Sequence, residues 1–103
     1  MKKSILLHGF ILLAGLACCL GNPAAAQIRI GQTIDLSGNS AEHGNAVLKG
    51  AQAYLKQVNA AGGVQGQRIE LITLDDGGKA DKAAGNTREL VEKRQVIAMF
   101  SGI

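Results

Sequence analysis

Three polar clusters in this 103-residue chain hold the side chains capable of chemistry. The first follows Leu36 and runs Ser37, Gly38, Asn39, Ser40, Ala41, Glu42, His43, Gly44. The second is the pair Asp75 and Asp76, followed by Gly77 and Gly78. The third is Ser101 with Gly102, directly after the apolar run that ends at Phe100. A serine with a histidine nearby raises nucleophilic catalysis. None of Ser37, Ser40 or Ser101 sits in the Gly-x-Ser-x-Gly turn that exposes a nucleophile, so catalysis finds no support and His43 is left as a loop side chain or a ligand contact. Adjacent aspartates raise metal or phosphoryl chemistry, but no further carboxylates cluster beside them, and a receiver-type pair would follow the first strand rather than the second. Turn formation and capping of the next helix by Asp76 account for the pair. Asp75 stands where a ribose-binding acid would, yet the chain has no Gly-x-Gly-x-x-Gly and no phosphate-binding Lys loop. Ser101 and Gly102 leave a hydroxyl and backbone N–H groups accessible, donors suited to a carboxylate; an ordinary strand-exit turn uses the same residues.

The segments around these clusters have the periodicity of an α/β domain. Ile28, Ile30, Ile34 and Leu36 share one parity, with Arg29, Thr33 and Asp35 on the other, which predicts a first strand. Val47, Ala51, Tyr54, Leu55 and Val58 fall on one face of a helix from Glu42 or Gly44 to Ala61, closed by Gly62 and Gly63. A turn at Val64, Gln65, Gly66 and Gln67 leads to a second strand over residues 68–75, apolar enough to be covered on both faces. A second helix over 79–93 has Ala83, Ala84, Thr87, Leu90 and Val91 inward, with Arg88–Glu92 and Glu89–Lys93 pairs outside. A third strand covers residues 96–100. The order β-α-β-α-β with such connections predicts parallel strands, half of an open doubly wound sheet. In such sheets small ligands bind at the carboxyl ends of the strands, which is where all three polar clusters fall.

The chain begins differently. Lys2 and Lys3, the apolar run from Ile5 to Leu20, and Ala24, Ala25 and Ala26 predict a secretory signal peptide over 1–26, cleaved between Ala26 and Gln27. The apolar run is shorter than the roughly 20 residues of a spanning helix. Lipid anchoring at Cys18 or Cys19 is disfavoured: Gly15 stands where a lipoprotein signal has leucine, and Cys18 where it has a small residue. No cysteine follows Cys19, so disulfides, redox pairs and thiolate metal sites are excluded from the exported part. Without Lys2 and Lys3, nine basic residues face eight acidic ones. That near-neutral balance lacks the positive stripe of a nucleic-acid surface. Residues 27–103 are few for an α/β domain without disulfides or metal, and are expected to be the N-terminal piece of a longer protein.

The spacing of Ile30-Gly31, Asp35-Leu36-Ser37-Gly38, Gly44, Gly50-Ala51, Asn59-Ala60-Ala61-Gly62-Gly63-Val64, Gly66-Gln67-Arg68 and Leu74-Asp75-Asp76 resembles the start of the periplasmic substrate-binding proteins of branched-chain amino-acid ABC transporters. The resemblance covers residues 28–102. It implies the first half of a lobe of a type I periplasmic binding protein, with no enzymatic activity, cofactor or metal. The implied function is capture of an amino acid, or a related small carboxylate or amide, for an ABC permease in the inner membrane. A ligand-binding sensor domain of an extracellular receptor shares the fold and is the alternative. By position, the resemblance places His43 over the ligand side chain, Ser37 in the cleft-lining loop, and Phe100, Ser101 and Gly102 along the ligand carboxylate. His43 stands where an aromatic cover is usual, and Gly102 and Ile103 where hydroxyls are usual, which widens the expected ligand beyond branched-chain amino acids.

Overall fold

Alternating isoleucines make the first strand, β1 (Gln27–Ile34), and a β-rich apolar run makes β2 (Arg68–Asp75). The computed structural model describes residues 27–100; the signal-peptide reading of residues 1–26 and the site residues Ser101 and Gly102 lie outside them. The helices are α1 (Ala41–Ala60) and α2 (Ala80–Glu92), and a short strand β3 (Ala98–Met99) follows. The described strands form one sheet in the order β2-β1-β3, all parallel.

Register decides which side chains each helix covers. Ile28 lies opposite Ile69, Ile30 opposite Leu71 and Gln32 opposite Thr73, so these share a face. On that face Thr73 Oγ1 donates to Gln32 Oε1 at 3.1 Å. The start of α1 closes on its far end: Gly44 is buried, and a Cβ there would overlap the carbonyl of Asp35 and reach Ile34. The end of α1 is pinned by Asn59, whose Nδ2 donates to the Ile69 carbonyl and whose Oδ1 accepts the Ile69 amide, each at 2.8 Å. The opposite face carries Gly31 and Thr33 and is covered by α2. A Cβ on Gly31 would meet Leu90 and Val96 at 3.2 Å, so glycine lets α2 and its exit approach β1. Among the described residues, Ile34, Leu90 and Val96 are the buried hydrophobic side chains.

Several expectations need correction. Both helices end within one residue of their expected bounds and start one residue from Glu42 and from residue 79. Their expected inner faces hold at Val47, Ala51, Leu55, Val58, Ala83, Thr87 and Leu90 but not at Tyr54, Ala84 and Val91. Tyr54 is 66% exposed and Val91 is exposed, while Asn59 and Asn86 are half-buried and reach strand backbone. Apolar periodicity ranks an amide side chain as outward, and here its two-sided hydrogen bonding makes it the inward group. Glu89 pairs with Arg94 at 3.4 Å rather than with Lys93, whereas Arg88 and Glu92 do meet, at 4.0 Å. Strand three is shorter than residues 96–100. Its neighbours make isolated bonds to β1, Ile97 N to Arg29 O at 2.9 Å and Phe100 N to Gly31 O at 2.7 Å. The closing glycines of α1 behave as expected, with φ of 107° at Gly62 and 75° at Gly63.

Two glycines of α1 make opposite predictions. Gly50 has open space around its Cβ position, so Gly50→Ala should raise stability by about 0.5–1 kcal/mol, the helix-propensity difference. Gly44→Ala should cost about 1–3 kcal/mol or prevent folding, because the Asp35 backbone stands in the way. Denaturant midpoints of the two variants against the unmodified protein check the contrast.

Candidate functional site

The switch point of this sheet lies at β1. From β1 the chain passes to β2 on one side, and from β2 it crosses back to β3 on the other. Parallel pairing brings the carboxyl ends of all three strands to one edge, and the crevice between β1 and β3 is where such folds bind ligands. The loop 35–40 leaves β1 at this edge and enters α1. Phe100 leaves β3 beside it, hydrogen-bonded to Gly31 of β1.

The loop is built around Asp35, which is 2% exposed. Its carboxylate accepts the amides of Ser37 (3.1 Å), Gly38 and Ser40 (2.9 Å). These bonds, led by that from Ser40, hold its pKa below the ordinary value against the opposing effect of burial and of the Asp75 charge. The loop also needs glycine: a Cβ on Gly38 would strike the Gly77 carbonyl and crowd the Asp35 carboxylate at 2.9 Å. Asn45 of α1 closes the far side by donating to the Leu36 carbonyl at 3.1 Å.

Asp75 and Asp76 sit next to this loop. Asp75 Oδ1 accepts the Leu36 and Gly77 amides, each at 2.9 Å. The Ser37 hydroxyl beside it, together with those amides, lowers its pKa to about 2. Asp76 accepts Thr33 Oγ1 at 2.9 Å and the Gly78 amide at 2.8 Å. It does not cap α2, whose N-cap position is Lys79 and carries no side-chain cap bond. The expected turn role of the pair holds, and the expected capping role does not. The turn runs through Gly77 and Gly78, both at positive φ, so the aspartate oxygens fold back on β1 instead of reaching the helix.

This geometry fixes what the loop can offer. The amides of Leu36, Ser37, Gly38 and Ser40 are all spent on internal carboxylates. The Ser37 hydroxyl stands beside the Asp75 carboxylate and favours its ionised form. The two carboxylates behind the loop disfavour an anion at this spot. Among the sequence-selected residues, Ser37 and Phe100 lie at the same sheet edge on the loops of adjacent strands. His43 is exposed on the first turn of α1. Among the described residues there is no group of three metal-ligating side chains, and no helix long and apolar enough to cross a membrane. A hollow of about 430 Å³ between α1 and β2, lined by Leu55, Lys56, Asn59 and Arg68, opens at the amino end of β2, away from the switch point.

An open parallel α/β sheet whose switch point is flanked by a polar, glycine-dependent loop is the architecture of the type I solute-binding lobe. Residues 27–103 match the model of the periplasmic binding proteins, and the chain belongs to that family. It is 34% identical over 99 residues to the Leu/Ile/Val-binding protein homolog 7 of Brucella suis, covering 96% of this chain and 23% of that protein. Among solved structures it is similar to LivJ, the branched-chain amino acid transporter substrate binding protein of Streptococcus pneumoniae, in complex with isoleucine. That match has 38% identity and a TM-score of 0.68, over 71% of this chain and 21% of that one. A fatty acid ABC transporter substrate-binding protein from Thermomonospora curvata is 34% identical with a TM-score of 0.68, over 72% and 18% of the two chains. The chain therefore spans about a quarter or less of the length of these relatives.

The two depressed carboxyls predict acid sensitivity. In the unfolded chain each has its ordinary pKa of 3.8. Their stabilisation is thus fully present above about pH 4 and is lost as the pH falls towards the folded values, for Asp75 about 2. Urea midpoints measured from neutral to acid pH should fall through this window, and Asp75→Asn should flatten part of the slope.

Proposed function

We propose that this chain forms the N-terminal part of the first lobe of an extracytoplasmic solute-binding protein. On this reading it captures an amino acid, or a related small carboxylate or amide, in the periplasm and delivers it to an ABC permease. The observation that carries the reading is the pairing of β1 with β3, which puts the loop 35–40 and the exit at Phe100 on one edge of the sheet. The relatives named above, one of them holding isoleucine, support the solute class. The fatty acid protein keeps other carboxylates within it.

The two rims take different parts of the solute. With its amides turned inward and two carboxylates behind it, the β1 loop at Ser37 suits an ammonium or amide N–H group. His43 covers the solute side chain from the first turn of α1. The carboxylate is assigned to the exit of β3, where Phe100 walls the site and Ser101 and Gly102 supply donors. The chemistry required is binding alone, without a covalent step.

Titration calorimetry of the complete mature protein against the proteinogenic amino acids and small carboxylates and amides tests the reading. Saturable binding by at least one is expected, and Ser101→Ala should weaken it about tenfold or more, since a hydrogen bond to a charged group contributes about 1.5–3 kcal/mol. Saturable heat with none of these solutes would refute the proposal.

A further inference from the structure

The geometry points to Asp75 as a positioning residue for solute capture: from the end of the neighbouring strand it anchors the loop 35–40 to the sheet without itself meeting the solute. This inference rests on the solute-binding reading above. Asp35 and Asp75 divide the work on the loop. Asp35 gathers the amides of Ser37, Gly38 and Ser40, all within the loop, and so sets its internal shape. Asp75 instead reaches across from β2, taking the Leu36 amide at 2.9 Å and the Ser37 hydroxyl, and so sets where that shape stands.

Asp75 is itself held from three directions. Its carboxylate takes the Gly77 amide at 2.9 Å, which folds the turn beneath it. Its carbonyl accepts Asn86 Nδ2 of α2 at 3.0 Å. The next residue, Asp76, is fastened to β1 through its amide to Ile34 O at 3.0 Å and through Thr33 Oγ1. The two loops then touch closely: a Cβ on Gly38 would strike the Gly77 carbonyl, and a Cβ on Gly78 would lie 2.8 Å from the Asp35 side chain at Oδ2. The turn 75–78 thus works as an abutment for the solute loop. Without the Asp75 carboxylate, the loop keeps its Asp35-centred turn and the Asn45 bond to the Leu36 carbonyl but loses its tie to β2, and is freer to shift as a unit. A site that must be re-ordered on binding loses affinity even when every solute contact survives.

The test uses the complete mature protein with Asp75→Ala, Asp75→Asn and, as a control, Gly50→Ala. Hydrogen exchange is followed in the solute-free protein, and affinity is measured with whichever proteinogenic amino acid gives saturable heat with the unmodified protein. In Asp75→Ala, exchange of the Leu36 amide should rise about tenfold or more while the Ile30 and Gln32 amides stay protected, and affinity should fall about tenfold. Asp75→Asn, which keeps one carbonyl acceptor, should fall between, and Gly50→Ala should change neither. Unchanged exchange at Leu36, equal loss of protection along β1, or undiminished affinity in Asp75→Ala would overturn the positioning role. If the unmodified protein binds no amino acid, it is the solute assignment that fails; exchange at Leu36 still decides whether Asp75 anchors the loop.

Discussion

A carboxylate sealed from water and filled with amides from its own loop is the constraint on which this edge of the sheet depends. Buried carboxylates need donors, and the loop after β1, exposed at Ser37, Asn39 and Ser40, turns its amides inward to supply them. Asp35 is the acceptor for three of these amides. One of these is the amide of Ser40, the N-cap position of α1, whose own side chain makes no capping bond. The aspartate therefore ends the strand, shapes the loop and starts the helix. Its ionised form is the one these bonds favour, so the loop's shape and the charge of the carboxylate are set together.

The helices are fastened to the sheet by a repeated device. Asn45, Asn59 and Asn86 each extend an amide side chain from a helix to a main-chain group at or near a strand end: the carbonyl of Leu36, both groups of Ile69, and the carbonyl of Asp75. With few side chains fully buried, apolar packing alone leaves the helices free to slide. Directional hydrogen bonds set their axial position. Glycine does the complementary work, since Gly31 and Gly44 let α2 and the start of α1 come close enough for those bonds to form.

Alternation of Ile28, Ile30 and Ile34 and the run in β2 revealed the strands, and the Gly62-Gly63 stop revealed the end of α1. Parallel order followed from connection length. What periodicity missed was polar. It counted Tyr54 and Val91 as core because they are apolar, whereas a covered face in a three-layer sandwich this thin is set by reach, and Asn59 and Asn86 reach strand backbone. Asp75 and Asp76 look like an ordinary turn in sequence, because their partners Leu36, Ser37 and Thr33 lie some forty residues earlier. The candidate loop was legible as polar and glycine-rich. Which of its groups face inward was not, since that depends on two aspartates converging from different strands.

Asn59 has one more effect. β2 is the border strand of the described sheet, and border strands invite stray chains to dock by main-chain pairing. At Ile69 the amide side chain of Asn59 imitates a neighbouring strand, filling donor and acceptor at once. An incoming segment finds that rung occupied and cannot zip along the full border. One residue of α1 thereby narrows the stretch of β2 left open to main-chain pairing.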